Sequence, residues 1–227
     1  RRRLMQDLNL MKSCVSPHIV SIIGALEPEW ENSSVTILTE YMEGRSTQDI
    51  VIGIGPFDHK VLGKVAEAVL RAIDYLHTKH RIIHRDVRPG NIFLNARGEI
   101  KLGGFDLATT TLRTFHSTLG PLSTAPYMSP ERTTGQHYTV TCDVWSLGIS
   151  LIELGTGKSW TYGKGLLDVL DLIVRRAPPT LPEGYVGPES LHVFIERCLE
   201  KDPRRRASPA RFLVSDRYFQ TQRGLAN

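Results

Sequence analysis

The stretch HRDVRPGN, residues 84 to 91, sets a carboxylate, Asp86, five residues ahead of an amide, Asn91, with Arg85 and Arg88 alongside. A carboxylate accepts protons, and carboxylate and amide oxygens are the donors that hold hard divalent cations. Thirteen residues beyond Asn91, the triplet Gly104-Phe105-Asp106 brings a second carboxylate, placed behind a phenylalanine instead of ahead of it. Two other stretches imitate phosphate-binding loops. In GTGKS, residues 155 to 159, the first glycine of a P-loop would fall at Ile152, inside a helical pattern. In GIGPFD, residues 53 to 58, Asp58 stands where a dinucleotide fingerprint needs its third glycine. Both read as ordinary loops. Asn32-Ser33-Ser34 matches a glycosylation sequon, with nothing else to support secretion.

The elements that must position these residues follow from hydrophobic spacing. Leu4, Leu8, Met11 and Val15 predict a helix that stops before SPH. HIVSIIGALE and SVTILTEYM predict two strands on either side of the turn PEWENSS. DHKVLGKVAEAVLRAIDYLHTKH predicts a long helix capped by Asp58, with Leu62, Val65, Val69, Ile73 and Leu76 on one face. NIFLN and EIKLGGF predict two short strands joined by the turn ARG. Residues 106 to 131 lack periodicity and read as a loop of functional length. CDVWSLGISLIEL, closed by Gly155, and then GLLDVLDLIVR and SLHVFIERCLEK predict three further helices.

With 227 residues, 41% hydrophobic and 23% charged, the chain has the composition of a folded domain with its own core. No apolar run approaches the roughly 20 residues of a membrane span, and RRRLMQDLNLMKS lacks the apolar core of a leader, so a soluble cytoplasmic protein is expected. Cys14, Cys142 and Cys198 are odd in number and far apart, which suits neither a disulfide framework nor a paired metal motif. The net charge of +4 comes with arginines split among three clusters, which read as solvated faces; no nucleic-acid module is present.

HRDVRPGN, the Gly-Phe-Asp triplet, SPE at Ser129 to Glu131, DVWSLG opening at Asp143, and DPRRR ending at Arg206 follow one another in the order and spacing of protein kinases. The chain resembles that family over nearly all its length. YMSPER, GEIKL, SPHIV and LGKVAEAV are most similar to MAP kinase kinases, and GLLDVLDLIVRRAPPTLPEG is similar to fungal members of that group. The resemblance implies an α+β, protein kinase-like fold: a truncated N-terminal lobe over residues 1–42 and a mainly α-helical C-terminal lobe over residues 43–227. It implies ATP and magnesium as cofactors, a MAP kinase as protein substrate and an upstream kinase as regulator, with no nucleic acid or membrane partner. By the same resemblance Asp86 accepts the substrate hydroxyl proton, Asn91 holds magnesium, and Arg88 replaces the lysine that approaches the transferred phosphate. Thr39 to Met42 form the hinge that grips adenine, so Thr39, Glu40, Met42, Ser46, Phe93 and Asp106 are the implied nucleotide positions. His84, Phe105, Met11 and Ile22 stack as an apolar spine, Asp143 holds the catalytic loop, and Glu131 pairs with Arg206. Thr114 and Thr118 stand at the offsets of activating phosphorylation sites, where phosphate would pair with Arg85; Thr124 belongs to the same segment.

The pattern also breaks. The chain begins inside what resembles the regulatory helix, Asp7 stands where the family has a glutamate, and the glycine-rich strand pair and ATP-binding lysine lie outside this sequence. Gly104 offers no carboxylate where the family places its magnesium ligand, and Asp106 sits about 6–7 Å further along an extended chain. The expectation is a kinase domain with its base kept and its metal site lost or weakened. The alternatives are a catalytically impaired pseudokinase acting as a scaffold, or a fragment of an active kinase.

Overall fold

The computed structural model describes residues 10–26, 36–105, 109–110 and 122–224. Asp7 and most of the first apolar stripe fall outside those residues. Residues 10–12 are helical, and Leu10 and Met11 pack against the core. Val15, expected on the same stripe, is exposed because the helix has already ended; its N–H instead reaches the Tyr75 hydroxyl at 3.1 Å.

Strands β1 (Ile22–Leu26) and β2 (Thr36–Thr39) pair antiparallel, with a bulge between Ile22 and Gly24. Both are shorter than HIVSIIGALE and SVTILTEYM suggested. His18 to Val20 are instead bonded to Leu102, through Leu102 N–H to His18 C=O and Val20 N–H to Leu102 C=O, each at 2.9 Å. Helix α1 (Thr47–Ile54) went unforeseen. Its signal was present in the sequence: Ser46 and Asp49 form a capping box, the Ser46 hydroxyl accepting from Asp49 N–H at 3.1 Å while the Asp49 carboxylate accepts from Ser46 N–H.

Helix α2 (His59–His80) is the expected long helix. Asp58 caps it by accepting from Val61 N–H at 2.9 Å, and the whole stripe from Leu62 to Leu76 is buried. Strand β3 (Ile82–Ile83), a 3-10 turn at Pro89–Asn91, β4 (Ile92–Leu94) and β5 (Ile100–Leu102) follow, with β4 and β5 antiparallel. Strand β6 (Thr109–Thr110) pairs with β3, so part of the long segment read as loop is ordered by a ladder too short to leave a periodic signal. The same segment contains a 3-10 helix, Leu122–Tyr127, and runs into α3 (Pro130–Thr133).

Helix α4 (Thr141–Thr156) lies at the centre, buried at every residue from Thr141 to Gly155. Its polar side chains are therefore bonded inside the protein, and its two serines return their hydroxyls to carbonyls one turn earlier, at 3.1 Å for Ser146 and 2.7 Å for Ser150. It does not close at Gly155. The left-handed cap is Gly157, at φ +68°, and Gly155 serves packing, since a Cβ there would press on Leu181 and Leu62 at 3.0–3.1 Å. Helices α5 (Leu166–Arg175) and α6 (Glu189–Cys198) were expected; α7 (Pro209–Ser215) and α8 (Arg217–Gly224), which complete the core through Phe212, Tyr218 and Phe219, were not. Cys14, Cys142 and Cys198 are buried free thiols. Among the described residues no helix is long and apolar enough to cross a membrane.

Candidate active site

The loop from β3 to the 3-10 turn is held from below by Asp143, at the start of α4. Its carboxylate accepts from His84 N–H at 2.8 Å and from Arg85 N–H at 2.7 Å. With φ +71°, Arg85 is in the left-handed region, a conformation that needs such outside support. The Arg85 carbonyl accepts from Arg132 Nη1 at 2.9 Å, tying the loop to α3. Burial lowers the pKa of the Arg85 guanidinium, although an arginine stays charged. His84 is fully buried. Its Nε2 faces the Gly103 carbonyl at 2.9 Å and must carry the proton, which leaves Nδ1 to accept from Asp86 N–H at 3.3 Å. The His84 ring lies 5.1 Å from that of Phe105, while Met11 and Ile22 pack against the large core to which Phe105 belongs.

Asp86 is 6% exposed. Asn91 Nδ2 donates to Asp86 Oδ2 at 2.6 Å and to its carbonyl at 2.8 Å, while Arg88 Nε reaches both carboxylate oxygens at 3.2 and 3.3 Å. This is an aimed carboxylate with two donors, able to receive a proton at the edge that faces solvent. Below it, the buried pair Glu131–Arg206, at 2.7 and 3.1 Å, closes α3 onto the chain before α7, and Arg206 also covers the Trp145 ring at 5.2 Å. One arrangement was not visible in the sequence: the Tyr127 hydroxyl donates to Glu153 Oε2 at 2.5 Å, and burial followed by the Glu153 charge pushes the phenol pKa up.

A cleft of about 460 Å³ opens between β1–β2 and the loop, lined by Val20, Ile22, Met42, Phe93 and Phe105, with Thr39, Glu40 and Ser46 also on its wall. Its volume and apolar lining suit a nucleobase. Two of the implied nucleotide positions are otherwise engaged. The Ser46 hydroxyl caps α1, and the Glu40 carboxylate is bound by Lys101 Nζ at 2.8 and 3.0 Å and by Ser21 N–H at 2.7 Å. Burial acts to raise the Glu40 pKa, but the Lys101 and Ser21 hydrogen bonds outweigh it and hold the group below its ordinary value. What these residues present to a ligand is therefore shape more than side-chain polarity.

The magnesium side differs. Gly104 has φ +73°, and a Cβ built on it would fall inside the Asn91 side-chain amide. The volume a carboxylate stem would need is filled by the Asn91 side-chain amide, which is itself bonded to Asp86. Magnesium asks for near-octahedral oxygen, usually with one or two carboxylates; among the described residues no group of three or more acidic, histidine or cysteine side chains converges on a metal site. Among the described residues, the position at Gly104 offers the ion no carboxylate. Asp106, Thr114 and Thr118 lie outside the described residues. Thr124 is 4% exposed within the 3-10 helix, so it is packed and not presented.

The model of the protein kinase domain matches residues 1–219. Among curated proteins the chain is 37% identical to the mitogen-activated protein kinase kinase MST7 of Pyricularia oryzae, covering 97% of this chain and 55% of that protein. It is 40% identical to MKK2 of the same fungus, over 94% of this chain and 43% of that one. To mitogen-activated protein kinase kinase 1 of Arabidopsis thaliana it is 36% identical, over 93% of this chain and 61% of that protein. The chain thus spans about half the length of the fungal relatives it matches.

Proposed function

Because this chain belongs to the protein kinase family, we propose that it serves a MAP kinase cascade as a domain that binds an adenine nucleotide and a MAP kinase and transfers phosphate slowly. Asp86 accepts the proton of the incoming hydroxyl. Asn91 and Arg88 hold its carboxylate in register, and Asp143 fixes the loop that carries it. Adenine lies against Met42 and Phe93 in the cleft. Its three buried, unpaired thiols suit a reducing cytoplasm. One observation carries the reading: Gly104 lacks a carboxylate, and Asn91 occupies the space. Losing one preorganised charge-stabilising group typically costs about 10²–10³-fold in rate. The test is single-turnover transfer of labelled phosphate from ATP to a MAP kinase by the purified chain and by Asp86→Asn. A weak signal that disappears in Asp86→Asn is the expected result. A signal indifferent to Asp86, or a rate equal to that of a complete MAP kinase kinase, would overturn it.

A further inference from the structure

Helix α1 meets the loop that carries Asp86 at a point away from the cleft. Thr47, the first residue of the helix, is fully buried, and its hydroxyl donates to the Pro89 carbonyl at 2.8 Å, across 42 residues of sequence. The hydroxyl is not needed as a helix cap, because Ser46 already caps α1 by accepting from Asp49 N–H at 3.1 Å. The Pro89 carbonyl is not short of a donor either, since Ile92 N–H also bonds to it. An aliphatic side chain could fill this buried position, so the extra bond points to a need to fix Pro89 in place. Pro89 opens the 3-10 turn that ends at Asn91, and Asn91 N–H returns to the Arg88 carbonyl at 2.9 Å. A turn of three residues leaves little slack. From Thr47 Oγ1 to the Asp86 carboxylate the path is therefore one carbonyl, one tight turn and the Asn91 amide, which donates to Asp86 Oδ2 at 2.6 Å. The surrounding backbone is clasped as well. Gly44 N–H bonds to the Leu94 carbonyl and Leu94 N–H to the Arg45 carbonyl, each at 3.0 Å. Gln48, next on α1, lies over Gly90, where an added Cβ would meet Gln48 Oε1 at 2.8 Å and Arg88 Nη1 at 2.9 Å.

We propose that Thr47 is a positioning residue for phosphate transfer: its hydroxyl sets the 3-10 turn so that Asn91 meets Asp86 with the carboxylate turned to receive the substrate proton. It acts through Asn91 and touches neither nucleotide nor protein substrate. The inference rests on the role given to Asp86 above, and the test separates the two. Thr47→Val keeps the branched shape and removes the hydroxyl, and Thr47→Ser returns it; Thr47→Ala replaces the valine variant if that one does not fold. Two quantities are measured: single-turnover transfer of labelled phosphate from ATP to a MAP kinase, and the NMR signal of the Asn91 side-chain amide in protein carrying isotopically labelled asparagine, identified by its loss in Asn91→Ala. Thr47→Val should lower the rate at saturating ATP by about 10–100-fold, the scale of a misplaced catalytic group, with the half-saturating ATP concentration changed less than about twofold. It should also move the Asn91 amide signal, and Thr47→Ser should restore both. A wild-type rate or an unmoved Asn91 signal in the hydroxyl-free variant, or an equal fall in Thr47→Ser, overturns the proposal. A loss confined to ATP affinity overturns it too, since Thr47 would then serve the nucleotide. Absence of transfer by the wild type would overturn the reading of the function and this inference with it, a moved Asn91 signal then marking a structural contact only.

Discussion

Asn91 separates two halves of one site that have been treated very differently. Toward Asp86 everything is anchored: Asp143 accepts two loop N–H groups, Asn91 and Arg88 hold the carboxylate, and Glu131–Arg206 locks the floor with side chains 0–1% exposed. Gly104 itself brings no side chain, and the Asn91 amide occupies the space a Cβ there would take. The proton-accepting half is built on α4, the most buried helix, so its geometry is inherited from the core. The half that the resemblance gives to magnesium turns on the residue at a single turn, Gly104 at φ +73°. A change at such a turn need not disturb the fold, because the core does not depend on it.

The largest effect should come from the anchored half. Arg206→Ala strands Glu131 as a buried charge, and breaking a pair of this kind costs about 3–5 kcal/mol, read as a lowered midpoint in urea unfolding. A loss under about 1 kcal/mol would show that the floor is not what holds the loop. Across the cleft the effects should be smaller. Lys101→Met removes the bridge from β5 to Glu40, whose partners are 10% and 24% exposed, and should cost roughly 0.5–1 kcal/mol. The sign of its pH dependence is fixed. Glu40 is held below the ordinary 4.5 in the fold, so its contribution is present above that value and disappears as pH falls through the lower, folded pKa. The wild type should therefore lose its advantage over Lys101→Met on acidification below about pH 4.5. An advantage that does not diminish at all on acidification would assign the stabilisation to packing of the lysine stem.

Residues whose roles follow from fixed spacing were legible in the sequence. Asp143 bonds the loop and Glu131 pairs with Arg206 as their motifs implied, because each contact joins short segments of fixed local conformation. Pairings set by the third dimension were not. Glu40 and Lys101 are 61 residues apart, and nothing in either neighbourhood marks the other. Ser46 was legible as a cap, through Asp49 three residues on, yet the resemblance assigned it to nucleotide; its hydroxyl answers to the helix first. That Gly104 lacks a ligand is visible in one letter. That Asn91 fills the vacancy depends on a backbone turn at φ +73°, which spacing does not reveal.

The central claim is that one missing carboxylate separates this site from a metal-binding one, and Gly104→Asp tests it most directly. A side chain at that position must displace the Asn91 amide and accept a left-handed φ, so the unliganded variant should be less stable by about 1–3 kcal/mol. The decisive reading is ADP affinity with and without magnesium, measured side by side in the variant and the wild type. The account predicts that magnesium strengthens ADP binding at least about tenfold in Gly104→Asp, the worth of one well-placed ionic contact, and less than twofold in the wild type. A wild type already dependent on magnesium, or a folded Gly104→Asp as indifferent to it as the wild type, would contradict the claim.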